Sequence, residues 1–222
     1  MNQGPKFMAE LIGTFALVFF GAGAILQHNV TQAVGVTGIA VAHGLAILVS
    51  VYAFGHISGG HFNPCVTFGM VVTKRLSWGE GFSYWIAQLA GAALGAWVLS
   101  IAYPTGAADA QLGAPALGPS IAPMTGMVIE ALLAFMLVTV IFGSAVDPRA
   151  AKGFAGLAIG LTYTANLLAC GSVTGASFNP ARAFGPALMA GAWQDHWLYW
   201  VGPMLGGAVA ALLYDRFFLS RA

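Results

Sequence analysis

The chain consists mostly of long apolar runs that are separated by short polar segments. A transmembrane helix needs about 20 mostly apolar residues, and six runs reach roughly that length. They begin near Phe7, Val34, Phe82, Met124, Gly153 and Trp197. The pattern therefore predicts an all-α membrane protein with six transmembrane helices.

Two further apolar segments, Pro64–Val72 and Pro180–Ala190, are too short to cross a bilayer alone. Each follows a stretch rich in glycine and serine, at residues 55–60 and 171–177. Irregular backbone at membrane depth is tolerated only where it is buried in protein or lines a water-filled cavity. We therefore expect two re-entrant half-helices. Each begins with an Asn-Pro pair, because asparagine caps a helix well and proline fits its first turn.

The composition agrees with a membrane protein, since 59% of the residues are hydrophobic and only 7% are charged, against about 25% charged in a soluble domain. The net charge of +1 gives no reason to expect a nucleic-acid partner. The two cysteines, Cys65 and Cys170, form neither a disulfide framework nor a CxxC metal site. No cleavable signal peptide is evident, so we expect the first apolar run to remain as a signal-anchor helix.

Lysine and arginine lie almost entirely on one side of the predicted membrane. That side holds Lys6, Lys74, Arg75, Arg149, Lys152, Arg216 and Arg221, whereas the other side has Asp109 and Asp195. The positive-inside rule then predicts that both termini are cytoplasmic. The half-helix after Asn63 would enter the membrane from inside, and the one after Asn179 from outside.

The chain also contains an internal repeat of three spans and one half-helix. The matching positions are Glu10 and Glu130, Asn63-Pro64 and Asn179-Pro180, and Tyr84-Trp85 and Tyr199-Trp200. Because three is an odd number, the two halves are inverted relative to each other. We expect one domain over residues 1–222, with repeats at about 1–103 and 124–222 that are linked by an outer loop, 104–123. Inverted repeats with broken helices point to a binding or conduction site at the midplane.

Asn63 and Asn179 are expected to face each other where the half-helices meet. Each helix N-terminus presents the positive end of its dipole, and each asparagine offers an NH2 group. A water molecule there could only accept hydrogen bonds, which disfavours hydronium and other cations. The alternative is that both residues are helix caps that only stabilise the bundle.

Glu10 and Glu130 are carboxylates in or near membrane spans, where such groups are costly and usually have a partner. We expect each to accept N–H groups from the irregular loop before a half-helix; a proton-relay pair is the alternative.

His56 and His61 have no carboxylate or thiolate at a metal-binding spacing. We therefore expect no metal and no other cofactor, and we expect His61 to line the cytoplasmic half of a pore.

Four sequence motifs are similar to those of a known protein family. They are Ala9-Glu10 with Gly13-Thr14, the run from Gly55 to Pro64, Ala158-Ile159-Gly160, and the run from Asn179 to Pro186. The chain resembles an aquaporin, a member of the major intrinsic protein family, over essentially its whole length. The resemblance implies a right-handed bundle of six helices and two half-helices, one pore per chain, a homotetramer and no enzyme activity.

The resemblance also implies the residues of the pore. The proton barrier would be formed by Asn63, Pro64, Cys65, Asn179, Pro180 and Ala181. Cys65 departs from the usual alanine, but the third motif residue matters less than the asparagine, so conduction should survive.

A four-residue selectivity filter would lie near the outer mouth, and the resemblance places it at His43, Leu167, Ala176 and Arg182. Asn166 is an alternative to Leu167. Such a filter resembles that of the plant vacuolar-membrane (tonoplast intrinsic) subgroup, whose members often pass ammonia as well as water. In the first repeat, Val66 or Thr67 stands in place of Arg182.

We therefore expect a passive water channel that also passes small neutral solutes such as ammonia or hydrogen peroxide and excludes protons and ions. A channel mainly for glycerol or urea is one alternative, although Ala183 and Ala187 stand where glycerol channels carry charged residues. A coupled secondary transporter is another, although it usually needs a titratable group at the midplane. A non-conducting junction protein or an intramembrane enzyme forms a third class.

Overall fold

A computed structural model of the chain describes residues 3–104 and 110–219. Eight α-helices make up most of this part. They are α1 (Gln3–Thr31), α2 (Gly35–Ser58), α3 (Pro64–Val72), α4 (Trp78–Ala102), α5 (Pro123–Ile141), α6 (Ala155–Thr174), α7 (Pro180–Ala190) and α8 (Leu198–Leu213). The fold class predicted from the sequence is confirmed. Asp109 and Arg221, which contributed to the charge pattern, lie outside the described residues.

Five helices are long and apolar enough to cross a membrane: α1, α2, α4, α6, and α5 together with the π-type turn Phe142–Val146 that extends it. The sixth predicted span, α8, has 16 residues and is below that length, but a second π-type turn, Tyr214–Phe218, continues it. It packs against α5 as α1 packs against α4, so its place in the bundle is that of a span.

The two half-helices, α3 and α7, begin and end where the sequence predicts. The stretches before them are more helical than expected, since α2 continues to Ser58 and α6 to Thr174. Gly59 and Gly175 then end these helices with left-handed φ values of 92° and 77°, a conformation that glycine adopts without steric cost. Only residues 59–63 and 175–179 are irregular, which limits the number of backbone groups without a helical partner.

The two repeats are interlocked through their half-helices. α1 and α5 occupy equivalent positions beside α4 and α8, and α2 and α6 pack against each other at the centre. α3 of the first repeat packs against α8 of the second, and α7 of the second packs against α4 of the first. The bundle thus has a termini end, where α1 begins and α8 finishes, and a far end, where α1 finishes and α8 begins.

Glycines allow close contact between the equivalent helix pairs. A Cβ atom at Gly91 of α4 would collide with the carbonyl oxygen of Leu11, and one at Gly206 of α8 with that of Ala131. Small residues at such crossings let membrane helices pack backbone to backbone. Close packing of a glycine against a backbone carbonyl therefore joins α1 to α4 and, in the same way, α5 to α8.

Ion pairs tie the segments together at the termini end. They are Lys6–Glu80 at 3.1 Å, Arg75–Asp215 at 2.7 Å and Arg149–Asp147 at 2.6 Å. Asp147 also accepts a hydrogen bond from the Tyr214 hydroxyl. The Arg149 guanidinium beside Asp147 holds the pKa of that carboxyl well below its usual range, so the pair stays ionised at neutral pH.

We predict that Gly206→Ala destabilises the protein by about 1–3 kcal/mol, the usual cost of overpacking, because its Cβ atom has no room beside Ala131. Gly79→Ala is the matched control, since a Cβ atom there meets nothing within 4 Å. Thermal unfolding in detergent measures both. Equal melting temperatures for the two variants would contradict the close helix contact.

Candidate functional site

The N-termini of α3 and α7 meet inside the bundle, and each is capped by its asparagine. The Asn63 side-chain oxygen accepts from the Cys65 amide at 3.0 Å. The Asn179 oxygen accepts from the amides of Ala181 at 3.0 Å and Arg182 at 3.2 Å. These bonds satisfy amide groups that the first turn of a helix leaves without a partner.

The side-chain nitrogens of the same asparagines join the two loops. Asn63 Nδ2 donates to the Phe178 carbonyl at 3.0 Å, and Asn179 Nδ2 donates to the Phe62 carbonyl at 2.9 Å. Phe62 and Phe178 have left-handed φ values of 48° and 34°. Strained backbone of this kind persists only where the surroundings enforce it, and here it turns each carbonyl toward the opposite asparagine.

Glu10 lies fully buried beneath the loop before α3. Its carboxylate accepts from the Ser58 hydroxyl at 2.6 Å, from the backbone amides of His61 at 2.9 Å and Phe62 at 2.7 Å, and from the Gln88 side chain at 2.8 Å. The carboxylate thus provides acceptors for a loop that has no helical partners of its own.

Glu130 does the same for the loop before α7. It accepts from the Thr174 hydroxyl at 2.6 Å and from the backbone amides of Ser177 at 3.0 Å and of Phe178. These contacts repeat those of Glu10, except that Glu130 has no counterpart of the bond from Gln88 among the described residues. The position in α8 that is equivalent to Gln88 of α4 is Pro203, which has no side-chain donor. The two loops are therefore built on one plan.

The remaining residues of the two Asn-Pro motifs are buried beside the asparagines. The Pro64 carbonyl accepts from the Trp85 indole at 3.1 Å, and the Cys65 thiol lies 3.5 Å from the Phe178 carbonyl. Pro180 and Ala181 begin α7 and are also buried. Cys65 and Ala181 are equivalent positions, so the larger thiol fits without displacing the cap.

Arg182 is the largest fully buried side chain of the described residues. It follows its cap by three residues, as Val66 follows Asn63, so Val66 is its counterpart in the first repeat. Its Nε and Nη2 atoms lie 3.4 Å and 3.3 Å from Nε2 of His43. Its Nη1 is buried and has no hydrogen-bond partner in the described part of the chain.

His43 is oriented by two contacts. Its Nδ1 lies 2.9 Å from the Ile39 carbonyl, which can only accept, so Nδ1 carries the hydrogen and Nε2 is free to accept from Arg182. Gly21 of α1 makes room for the ring, because a Cβ atom there would overlap it. The histidine is thus a neutral hydrogen-bond acceptor that positions the arginine.

Leu167 and Arg182 line a cavity of about 230 Å³ at the far end of the bundle. Ala176, in the loop before α7, is buried and has a φ of 42°. Asn166, the alternative to Leu167, donates instead to the Leu133 carbonyl of α5 at 3.0 Å. Of the two candidates, Leu167 therefore faces the cavity that Arg182 lines.

A second cavity, of about 330 Å³, lies at the termini end and is lined by residues that include His61, Val66 and Ile159. The His61 ring lies 3.0 Å from the Thr67 hydroxyl. His56 is exposed and lines a different cavity beside the segment 144–153. The capped asparagines lie between the far-end cavity and the termini-end cavity.

Two residues of the site were not predicted from the sequence. Gln88 donates to both Glu10 and the Thr67 hydroxyl. Tyr163 of α6 lies with its hydroxyl 3.1 Å from Asn179 Nδ2. Each is a polar side chain inside a predicted span, which is the only signal in the sequence that could have found it.

Known proteins resemble this chain over most of its length. The chain is 43% identical to Aquaporin TIP4-4 from Zea mays over 221 residues, which covers 96% of this chain and 86% of the relative. It is 40% identical to Aquaporin TIP2-1 from Arabidopsis thaliana, with 96% and 87% covered. Both relatives are plant tonoplast aquaporins, so the predicted resemblance to that subgroup is confirmed.

A solved structure described as the aquaglyceroporin from Plasmodium falciparum superposes with a TM-score of 0.88 at 24% identity and covers 97% of each chain. At that identity the likeness concerns the fold. The model of the family described as Major intrinsic protein matches residues 2–214. The chain is therefore a multi-pass integral membrane protein that belongs to the major intrinsic protein family.

Proposed function

We propose that the protein is a passive water channel. The observation that carries this proposal is the paired arrangement of the half-helices: two cavities approach each other from opposite ends of the bundle, and the N-termini of α3 and α7 meet between them. Membership in the major intrinsic protein family and the aquaporin relatives support the same conclusion.

The midplane suits water better than any cation. Both half-helices direct the positive ends of their dipoles there, and the NH2 groups of Asn63 and Asn179 lie at the same level. A water molecule can accept from such donors, whereas a hydronium or metal ion finds no compensating negative charge, since Glu10 and Glu130 are engaged by the loops. We propose that this arrangement excludes protons and ions.

We propose that the filter consists of His43, Leu167, Ala176 and Arg182. The unpartnered Nη1 of Arg182 is a buried donor that a water molecule or another small polar solute can satisfy, which offsets the cost of leaving it unpaired. A cation would be repelled by the guanidinium at this point. Leu167 supplies an apolar wall opposite, so the filter selects small, neutral, polar molecules.

Ammonia and hydrogen peroxide are neutral and small, and we propose them as secondary solutes. His43 supports this extension, because its ring is held back against Gly21 and its Nε2 is occupied by Arg182. The passage through the proposed filter is therefore bounded by the edge of the His43 imidazole and by the aliphatic side chain of Leu167.

We further propose that the chains form a homotetramer, as the family implies, with both termini in the cytoplasm. The positive charges at the termini end support that orientation. Native mass spectrometry tests the assembly, and protease access to a terminal tag in sealed vesicles tests the orientation.

Vesicles that contain the purified protein should shrink under an osmotic gradient faster than empty vesicles and with a low activation energy, because water moves through a preformed path. Stopped-flow light scattering measures the rate. A rate equal to that of empty vesicles, with their high activation energy, would refute the water channel.

His43→Phe should reduce ammonia entry, because phenylalanine is larger than histidine and has no acceptor for Arg182. Internal alkalinisation after an ammonium pulse, followed with a trapped pH dye, measures it. His28→Phe is the control, since His28 lies in the last turn of α1, away from the proposed filter, and accepts from the Gly35 amide. Equal rates for His43→Phe, wild type and empty vesicles would remove the ammonia extension.

Glu130→Gln should destabilise the protein by about 1–3 kcal/mol, the cost of an unpaired buried group. The amide NH2 of glutamine would face one of the donors that the carboxylate now accepts. Glu80→Gln is the control at the surface, where an ion pair is worth about 0–1 kcal/mol. Melting temperatures in detergent that fall equally in both variants would contradict the loop-supporting role.

A further inference from the structure

Tyr163 lies on the wall that joins the two cavities. It follows Ile159 by four residues and precedes Leu167 by four, so the three side chains share one face of α6. Ile159 lines the termini-end cavity and Leu167 the far-end cavity, whereas Tyr163 lines neither. The tyrosine therefore lies between them, at the level of the capped asparagines.

The Tyr163 side chain is held firmly in that place. It is 2% exposed, and its ring packs against Phe178 with 4.5 Å between the centroids. The loop that carries Phe178 is in turn fixed by Glu130. An aromatic ring confined in this way cannot swing aside without disturbing the loop before α7.

The hydroxyl of Tyr163 changes the hydrogen bonding of Asn179. An amide NH2 has two donor hydrogens; Asn179 gives one to the Phe62 carbonyl at 2.9 Å and the other to Tyr163 at 3.1 Å. Asn63 Nδ2 donates to the Phe178 carbonyl at 3.0 Å, and the Asn63 side chain also interacts with the Tyr163 hydroxyl, so the phenol lies beside both asparagines.

We propose that Tyr163 forms a second selectivity point at the midplane, where its hydroxyl takes the position that a transported molecule would otherwise occupy beside Asn179. This inference rests on the proposed channel function. Since the phenolic oxygen accepts from Asn179, its own hydrogen points away and finds no acceptor among the described residues. It is offered to the passing water, so the midplane still presents donors.

Two consequences follow for transport. The ring narrows the path below the filter of His43, Leu167, Ala176 and Arg182, so a solute as large as glycerol is stopped at the midplane even where that filter is widened. The hydroxyl also occupies the place where water would bind Asn179, which slows water itself.

The test widens the filter first with Leu167→Ala and then adds Tyr163→Val. Glycerol uptake by vesicles with equal protein density should be roughly tenfold faster for the double variant than for Leu167→Ala alone, as for a barrier lowered by about 1.4 kcal/mol. Leu167→Ala with Thr162→Val is the matched control, because the Thr162 hydroxyl bonds only within its helix, to the Ala158 carbonyl.

Tyr163→Phe separates the hydroxyl from the ring. Its glycerol uptake should stay at the wild-type level because the ring is kept, whereas its water permeability should rise about threefold, the rate equivalent of a weak hydrogen bond. A role in packing alone would change the melting temperature without changing the ratio of glycerol to water permeability.

Unchanged glycerol uptake in the folded double variant would overturn the second selectivity point. If the double variant with Tyr163→Val cannot be reconstituted into vesicles, the Tyr163→Phe variant provides the test. A water permeability of Tyr163→Phe equal to that of wild type would then overturn the second selectivity point. A wild type no faster than empty vesicles would instead refute the water channel itself, so the two failures are distinguishable.

Discussion

The structure depends on how two irregular loops are satisfied inside a membrane. A loop N–H that does not face a water-filled cavity finds no water in the surrounding hydrocarbon, so it must find a protein acceptor. Glu10 and Glu130 supply these acceptors from the neighbouring spans, and each takes two loop amides and a hydroxyl. Only with those bonds in place can α3 and α7 begin at the midplane and bring their capped N-termini together.

The two repeats form a symmetric frame, and the proposed selectivity rests on the places where the repeats differ. The carboxylates, the glycine caps, the strained phenylalanines and the asparagines all occur in pairs. Arg182 is buried where the first repeat has Val66, and it is held by His43 from α2. Tyr163 of α6 lies 3.1 Å from Asn179 Nδ2. A frame with two equal halves would offer a polar passage without a preferred end, and in the proposed channel these side chains supply the preference.

The hydrophobic pattern was sufficient to predict the helices and both half-helices, because bilayer thickness constrains their lengths. The pattern predicts longer irregular loops than the structure has, because a stretch rich in glycine and serine can remain helical until one glycine adopts a left-handed φ. Periodicity alone could not find Gln88 or Tyr163, because their importance comes from partners far away in the chain. Even so, each is a polar group in an apolar run, where a partner should be sought.

The exchange of half-helices between the repeats bears on how the protein is made. α3 is synthesised early, yet most of the surface against which it packs belongs to α8, which follows it by more than half of the described chain. The first repeat must therefore wait in the membrane with its loop only partly enclosed until α8 arrives. Without α8 a cleft beside α3 would be open to lipid, so the central passage closes only once that helix has been made.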